Sequence, residues 1–354
     1  MLPELTVMHD AHDPYRQDTP ARRRDGQWFA DQMMEFVPAG TVHVRGFHYM
    51  LVAHGGVKKP NGEIYRNTLA DYVWLSEYAA TRARWLGIVP FERIVDERNS
   101  PPEVLTVDMV QSEAAWIDPG AGVAVPTLDK LMPYPDCLTE VRQPYHVVFV
   151  GEKSSLRPIL LPFAEMVAGE LILPSGDLSD TLIHGIAKRA AEDDRPAVAL
   201  YFSDFDPSGY WMPTILSRKL QALRDLEFHD LDIAVYPVAL SFEQARDLDL
   251  PSTPLKETER RADKWKARWG REQTEIDALA ALRPEVLSGI VEAAIAPFHD
   301  FTLVTRIEMA ARAVAQRRQC GAAGRPALRG GASARERVAL GGRSGGRGAV
   351  AGAG

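Results

Sequence analysis

Two acidic stretches follow apolar runs that lie roughly fifty residues apart. In FVGEKSS, residues 149–155, Glu152 ends an apolar run, and in YFSDFDPSG, residues 201–209, Asp204 and Asp206 end another. Side chains two positions apart in an extended segment point the same way, so the two aspartates face one side together. Such carboxylates repel each other unless a cation lies between them, and hard oxygen ligands suit Mg²⁺. We therefore predict a metal site at Glu152, Asp204 and Asp206, in preference to acids that only cap the next helix.

The elements that must position these acids are predicted to form a parallel α/β fold. From about residue 144, the strands are predicted at YHVVFV, ELILPSG, AVALYFSD and LDIAVYPVAL, with helices at SSLRPILLPFAEMVAG, LSDTLIHGIAKRAAED and GYWMPTILSRKLQALRDL between them. Continuous apolar strands that alternate with amphipathic helices are typical of a parallel sheet covered on both faces. Sites in such sheets form beyond the carboxyl ends of the strands, which is where the three acids are predicted. Residues 241–316 are predicted to add further helices.

The segment at residues 22–95 is predicted to be mainly helical. The amphipathic helix RDGQWFADQMMEF stops near Pro38, and a second helix in TVHVRGFHYMLVAHGG ends at Gly55 and Gly56. A Pro-Asn-Gly turn in VKKPNGEIY precedes a long helix, TLADYVWLSEYAATRARWLG, that ends at Gly87. Helix, helix, turn, helix is the outline of a winged-helix DNA-binding unit, although many small helical domains share it.

The composition is that of a globular protein with an asymmetric charge. The chain has 354 residues, 45% apolar and 25% charged, and no apolar run of about 18 residues, so we predict a cytoplasmic protein without a membrane span. The two cysteines, Cys137 and Cys320, are far apart, which argues against a disulfide framework or a zinc finger. Residues 1–316 carry a charge of −14 and residues 317–354 carry +7. The acidic body argues against a surface coated in nucleic acid but permits a local basic groove.

Four segments are predicted along the chain. They are a mobile leader at residues 1–21, a winged-helix domain at residues 22–135, an α/β domain with extra helices at residues 144–316, and a disordered tail at residues 317–354. The tail is rich in Gly, Ala and Arg and has almost no large apolar residues, so it cannot offset its ordering entropy by burial. Its abrupt change of composition is also typical of a shifted reading frame.

The acidic stretches carry a family resemblance. A glutamate after the first strand of a parallel α/β unit, followed by D-x-D, resembles the Toprim domain of topoisomerases and primases. The form DxDPxG at residues 204–209, with the pair Glu152 and Lys153, is most similar to the A subunit of topoisomerase VI and its meiotic double-strand-break relatives. The resemblance implies a Toprim domain that holds Mg²⁺, a nucleoid-associated homodimer that acts on double-stranded DNA, and a separate GHKL-type ATPase partner. No G-x-x-x-x-G-K-[ST] occurs, so the sequence contains no P-loop.

The resemblance also implies a nucleophilic tyrosine ahead of the Toprim domain, in a segment like R-[DE]-x-[YF]-Y. This chain has VRGFHYMLV, with Arg45 and Tyr49 at the Arg and final Tyr positions, whereas Gly46 and His48 depart from the pattern. A phenol has a pKa near 10 and needs help to attack a phosphodiester. Arg45, four residues earlier on the same helical face, could stabilise the developing charge. The alternative for Tyr49 is a tyrosine on a core face.

The predicted function is Mg²⁺-dependent DNA cleavage by tyrosine transesterification, which leaves a covalent phosphotyrosyl link to DNA. Lys58, Lys59 and Lys153 are predicted to contact DNA. One alternative is a Toprim nuclease that hydrolyses DNA with water and uses Tyr49 only structurally. Another is a non-catalytic DNA-binding accessory protein. A covalent adduct trapped with denaturant would separate the first reading from these two.

Three other motifs are predicted to be structural. HDAHD, residues 9–13, is predicted to be a solvated loop, and Glu275 and Asp277 in TEIDAL are predicted to begin a helix. Trp265 and Trp269, at positions i and i+4 of one helix with basic residues around them, are predicted to form a stripe that docks the helix, with a nucleic-acid contact as the alternative.

Overall fold

The computed structural model describes residues 8–95, 101–105, 142–174, 176, 178–303, 305, 306 and 309. Contacts along the chain divide it into two units, of which the first comprises residues 1–124 and 140–303 and contains every element named below. The second, residues 125–139 and 304–354, falls almost wholly outside the described residues, and so does the predicted tail. None of the described helices combines the length and the apolar content that crossing a membrane requires.

The N-terminal part of the first unit is a helical module, residues 20–95. It contains α1 (Pro20–Phe36), β1 (Val42–His43), α2 (Val44–His54), α3 (Leu69–Val73), a π-helical segment (Trp74–Ala79), α4 (Ala80–Trp85) and β2 (Ile94–Val95). The predicted helices are confirmed, and α2 ends at Gly55, whose φ of 71° places it in the region that favours glycine. One detail differs: the two residues before α2 pair in parallel with β2 instead of extending the helix.

The helical module has its own apolar core. It is built from side chains of α1, α2 and the long helix, among them Phe29, Phe47, Leu51 and Leu75. The predicted Pro-Asn-Gly turn after α2 is confirmed by an antiparallel bridge between Lys58 and Ile64. This core holds α2 by one side, which leaves the other side of that helix in solvent.

The C-terminal part of the first unit is a mixed sheet covered by helices. Its elements are β3 (Glu103–Val104), β4 (His146–Gly151), α5 (Arg157–Val167), β5 (Glu170–Ile172), α6 (Asp180–Asp193), β6 (Ala197–Phe202), α7 (Met212–Leu226), β7 (Ile233–Ala239), α8 (Phe242–Asp247), α9 (Ala262–Trp269), α10 (Ile276–Leu282) and α11 (Pro284–Ile295). The strand order is β3-β5-β4-β6-β7. All neighbours are parallel except the short edge strand β3, so the predicted parallel α/β sheet is confirmed.

Alternate residues of the central strands enter two different cores. Phe149 packs with residues of α5, α10 and α11 on one face of the sheet, whereas Val148 and Val150 pack with α6 and α7 on the other. Trp85 and Phe91 of the helical module join the second core. The helical module therefore docks on the α6–α7 side of the sheet.

The described part of the leader, residues 8–21, contacts α7, and its mobility stays a prediction. Asp13 accepts two hydrogen bonds from Arg218 at 2.9 and 2.8 Å, and the Tyr15 hydroxyl donates to Asp225 at 2.8 Å. Gln17 is fully buried and donates to the carbonyls of Ala11 and Asp13. Asp13 and Tyr15 find partners about 200 residues away, which local composition does not reveal.

Candidate functional site

Glu152 and the D-x-D stretch meet at the carboxyl ends of two adjacent parallel strands. The last residues of β4 and β6 are paired in register, and the Glu152 N–H donates to the carbonyl of Phe202 at 2.9 Å. The Glu152 carboxylate then accepts the N–H of Asp204 at 3.1 Å through Oε2. The structure therefore brings the predicted glutamate onto the turn that carries the two predicted aspartates.

Phe205, between the two aspartates, anchors this turn. It is 1% exposed, its ring centroid lies 4.7 Å from that of Trp265, and it also contacts Trp269. Because alternate side chains of an extended segment point to opposite sides, burial of Phe205 turns Asp204 and Asp206 away from that core. The predicted docking role of the tryptophan pair is confirmed by these contacts.

Asp206 and Gly209 close the turn. One Asp206 oxygen, Oδ1, accepts the N–H groups of Ser208 at 2.8 Å and Gly209 at 2.7 Å. A Cβ atom at Gly209 would lie 2.2 Å from the Asp204 carbonyl oxygen, so only glycine fits there. Among the described residues, Asp206 Oδ2 has no hydrogen-bond partner, which leaves it free to bind a ligand.

Burial and mutual proximity disfavour the charged forms of the acids at this turn. Burial, together with the nearby charges of Asp204 and Asp206, raises the pKa of Glu152 to about 7. Burial also raises the pKa of Asp204 above its ordinary value. A divalent cation would relieve this repulsion, so the donor set fits a hard cation with oxygen ligands.

Lys153 lies inside the acidic site. Its Nζ atom is 3.0 Å from Asp204 Oδ2, 3.1 Å from Glu275 Oε2 and 3.2 Å from Asp277 Oδ2. Burial alone would lower the pKa of Lys153, but the three carboxylates raise it above its ordinary value. The lysine predicted to contact DNA is thus engaged by carboxylates of its own chain.

Glu275 and Asp277 belong to the site as well as to a helix start. Glu275 is the N-cap residue of α10, so the prediction that this pair begins a helix is confirmed. Asp204 Oδ1 accepts the N–H of Ile276 at 2.8 Å, and Phe205 exchanges two backbone hydrogen bonds with Thr274. The E-x-D spacing was the only sequence signal for this role.

Arg261 supports the turn from outside. Its guanidinium donates to the Pro207 carbonyl at 2.8 Å and to Ser208 Oγ at 2.9 Å, and it pairs with Glu259. Arg261 precedes α9, which Trp265 docks against Phe205. No pattern in the sequence pointed to this contact.

Tyr49 and Arg45 lie on the exposed side of α2, four residues apart. Tyr49 is 50% exposed, so the alternative of a core tyrosine does not hold. His48 points into the protein: it is 4% exposed, and its ring nitrogens contact the Tyr65 hydroxyl at 2.7 Å and Asn67 Oδ1 at 3.1 Å. Because both nitrogens are engaged, His48 is not placed to accept the phenolic proton.

The two lysines after α2 differ in environment. Lys58 is exposed, whereas the Lys59 ammonium lies 2.7 Å from Asp71 and 2.9 Å from Glu63. The charge of Lys59 is therefore compensated within the helical module, and Lys58 is the better placed of the two for an external phosphate.

A second group of metal-binding residue types lies elsewhere. It consists of Glu92, His184 and Glu227, and within the described residues it is the group whose three ligand atoms all lie within 4.8 Å of one another. The carboxylates of Glu152, Asp204 and Asp206 are spaced more widely than that. His184 Nε2 is 3.0 Å from Glu227, and its ring stacks on Phe91. These contacts are those of a hydrogen-bonded and stacked histidine that joins the helical module to α6 and α7. The three residues are far apart in the chain, so no sequence signal predicted them.

No protein family model matches the chain, and no curated protein matches it.

Proposed function

We propose that the chain is a Mg²⁺-dependent DNA transesterase of the topoisomerase VI A-subunit type, with a winged-helix domain at residues 22–135 and a Toprim domain at residues 144–316. The observation that carries the proposal is the meeting of Glu152 with Asp204 and Asp206 beyond the carboxyl ends of β4 and β6. Ligands of open parallel sheets bind at that position. The raised pKa of Glu152 supports a site in which a bound cation would stabilise the ionised carboxylates.

In this proposal Tyr49 attacks the phosphorus of a DNA phosphodiester. The new bond joins the phenolic oxygen to phosphorus, the bond from phosphorus to one deoxyribose oxygen breaks, and the phenolic proton passes through water to that oxygen, which leaves as a hydroxyl. Arg45, on the same exposed face of α2, would stabilise the charge that develops on phosphate. Glu152, Asp204 and Asp206 would hold Mg²⁺, which supplies charge neutralisation at the phosphate.

The proposal implies a homodimer. In the topoisomerase VI A-subunit family that the chain resembles, the tyrosine of one protomer meets the metal site of the other, so Tyr49 would act with Glu152, Asp204 and Asp206 of a second copy. Double-stranded DNA would lie between them, with Lys58 near the backbone. A separate GHKL-type ATPase would be the partner that couples cleavage to strand passage.

A hydrolytic Toprim nuclease is the second candidate, and the surroundings of Tyr49 favour it. The Tyr49 hydroxyl has no hydrogen-bond partner among the described residues, and His48, its neighbour, is engaged by Tyr65 and Asn67. A nucleophilic phenol without a base is weak. Water activated at the acidic site would not need Tyr49.

Denaturant trapping on DNA with Mg²⁺ tests both candidates. We expect a covalent protein–DNA adduct from the parent chain and none from Tyr49→Phe, whose fold should be intact because the lost hydroxyl is exposed. The matched control is Tyr236→Phe, another tyrosine that is 44% exposed, and it should form the adduct normally. Asp206→Asn should abolish the adduct through loss of the metal.

The other outcomes of this experiment are equally definite. If Tyr49→Phe cuts DNA as well as the parent chain, the hydrolytic nuclease replaces the transesterase. If no variant cuts DNA with Mg²⁺ but the parent chain still binds DNA in a gel-shift assay, the chain is a non-catalytic DNA-binding accessory protein.

A further inference from the structure

The acidic site contains a cation of its own, the ammonium group of Lys153. It lies within 3.0–3.2 Å of oxygens of Asp204, Glu275 and Asp277. Because Lys153 follows Glu152 directly at the end of β4, its ammonium stays tethered to the site whether or not another cation is bound. A single positive charge thus offsets part of the negative charge of the site.

Asp204 has both of its oxygens occupied in this arrangement. Oδ1 accepts the N–H of Ile276 at 2.8 Å, and Oδ2 faces the Lys153 ammonium at 3.0 Å. A divalent ion needs a carboxylate oxygen at about 2.0–2.1 Å for Mg²⁺, and it repels a neighbouring ammonium. For Asp204 to bind such an ion through Oδ2, the ammonium must move away from that oxygen.

Glu275 and Asp277 offer the ammonium a place to remain. Their side chains are 44% and 41% exposed, and both already lie within 3.2 Å of Nζ. The start of α10 is tied to Asp204 through Ile276, which keeps the two acids beside the site. A small rotation of the lysine side chain would give up Asp204 and keep the other two partners.

We propose that Lys153 is a tethered counter-ion that exchanges with a divalent metal ion at Asp204, and that Glu275 and Asp277 are positioning residues that hold its ammonium during the exchange. This inference rests on the proposed metal site. Without a metal ion, the Lys153 ammonium stabilises the cluster of acids. When a metal ion binds, Glu275 and Asp277 keep the ammonium paired, which lowers the free energy needed to move it away from Asp204. The affinity for the metal is then set by α10 as well as by the three ligands.

Calorimetric titration of the full chain with Mn²⁺ tests the exchange through a mutant cycle. Lys153→Met should tighten Mn²⁺ binding by at least about threefold, since the competing ammonium is gone. The double variant Glu275→Gln/Asp277→Asn should weaken binding by a similar factor, because the ammonium then has Asp204 as its main partner. In the triple variant, the Gln and Asn substitutions should have no further effect, since they act through Lys153.

Matched controls separate the exchange from general electrostatics. Lys264→Met removes an exposed lysine of α9, and Glu285→Gln/Glu292→Gln removes two exposed acids of α11; both should leave Mn²⁺ affinity unchanged. Lys153→Gln repeats the lysine test with a polar side chain, in case the Met variant folds poorly.

Two results would overturn the inference, and they are distinguishable. If Glu275→Gln/Asp277→Asn weakens Mn²⁺ binding equally with Lys or Met at position 153, the acids act directly on the metal and there is no exchange. If the parent chain binds no Mn²⁺, both the exchange and the proposed metal site are wrong.

Discussion

Gly209 lies where the acidic turn folds back on its own backbone. A Cβ atom there would be 2.2 Å from the Asp204 carbonyl oxygen and 3.1 Å from the adjoining carbon, neither of which can move as a flexible side chain would. The geometry of the turn therefore depends on Gly209, because the space that a side chain would need is taken by the Asp204 carbonyl. The same logic applies to Phe205, whose burial orients the aspartates on either side.

Gly209→Ala should destabilise the protein and disrupt the acidic turn. The clash must shift the backbone that carries Asp204, at a cost of about 2–4 kcal/mol. Thermal unfolding and Mn²⁺ titration measure the two effects. Gly289→Ala is the matched control: nothing lies within 4 Å of the added Cβ at this exposed position of α11, so it should stabilise the protein by about 0.5–1 kcal/mol. Equal melting temperatures for Gly209→Ala and the parent would contradict the predicted clash.

The raised pKa of Glu152 predicts that the stability of the folded protein depends on pH. Its pKa is raised to about 7 in the folded protein, because burial and the neighbouring aspartates disfavour the charged form. The folded state then binds the proton more tightly than the unfolded state, so stability should fall as pH rises from about 4.5 to 7.

Glu152→Gln should flatten this dependence and gain about 1–2 kcal/mol at pH 8, a value reduced for partial solvent screening. The measurement is thermal unfolding in EDTA between pH 5 and 8. The amide oxygen of Gln can still accept the N–H of Asp204, so the turn should be retained. A parent chain whose stability rises over this range would rule out the raised pKa.

At the scale of elements, α9 and α10 complete a site that begins on β4 and β6. The helix α10 contributes Glu275 and Asp277 beside Lys153, and Arg261, just before α9, donates to the turn between Asp206 and Gly209. Both helices are linked to Phe205 by packing or backbone hydrogen bonds.

Arg261→Gln should weaken Mn²⁺ binding by about tenfold with little change in melting temperature. The substitution removes the hydrogen bonds to Pro207 and Ser208 that hold the turn, and the side chain is largely exposed, so packing changes little. Arg268→Gln, on α9 itself, is the control because its guanidinium lies over the rings of Tyr210 and Trp269 and not on the turn. Loss of affinity in both variants alike would show that α9 acts only through charge.

At the scale of the whole first unit, Asp180 joins the helical module to the sheet. Its carboxylate lies 2.6 Å from Lys219 Nζ, accepts the Trp85 indole N–H at 2.9 Å and lies 3.5 Å from Arg84. Although burial raises the pKa of Asp180, Lys219 and Arg84 lower it to about 2.

Asp180→Asn should cost about 3–5 kcal/mol at pH 7, because it leaves buried cations without their counter-charge. The stability that Asp180 contributes is present above its unfolded pKa of 3.8 and is lost as pH falls toward 2. The free energy of unfolding should therefore fall less between pH 7 and pH 3 in the variant than in the parent chain. Denaturant unfolding at pH 7 and pH 3 measures both effects. Asp247→Asn, an exposed aspartate on α8, should leave the stability nearly unchanged. Equal stability of Asp180→Asn and the parent chain at pH 7 would contradict the role of Asp180 in linking the helical module to the sheet.

The order of strands and helices, the ends of most helices and the position of Glu152, Asp204 and Asp206 at strand ends were predictable from the sequence. These features depend on local periodicity, turn residues and the rule that parallel strands end on one edge. Helical spacing also predicted that Arg45 and Tyr49 share one face of α2, whereas the exposure of that face was decided by the tertiary structure.

The contents of the site beyond those acids were decided only by the tertiary structure. Lys153 meets Glu275 across 122 residues of chain, and Arg261 reaches the turn across 54. The burial of His48 and the docking of the leader through Asp13 are of the same kind. Sequence patterns report which side of an element faces solvent, whereas the partner of a polar group depends on how distant segments pack.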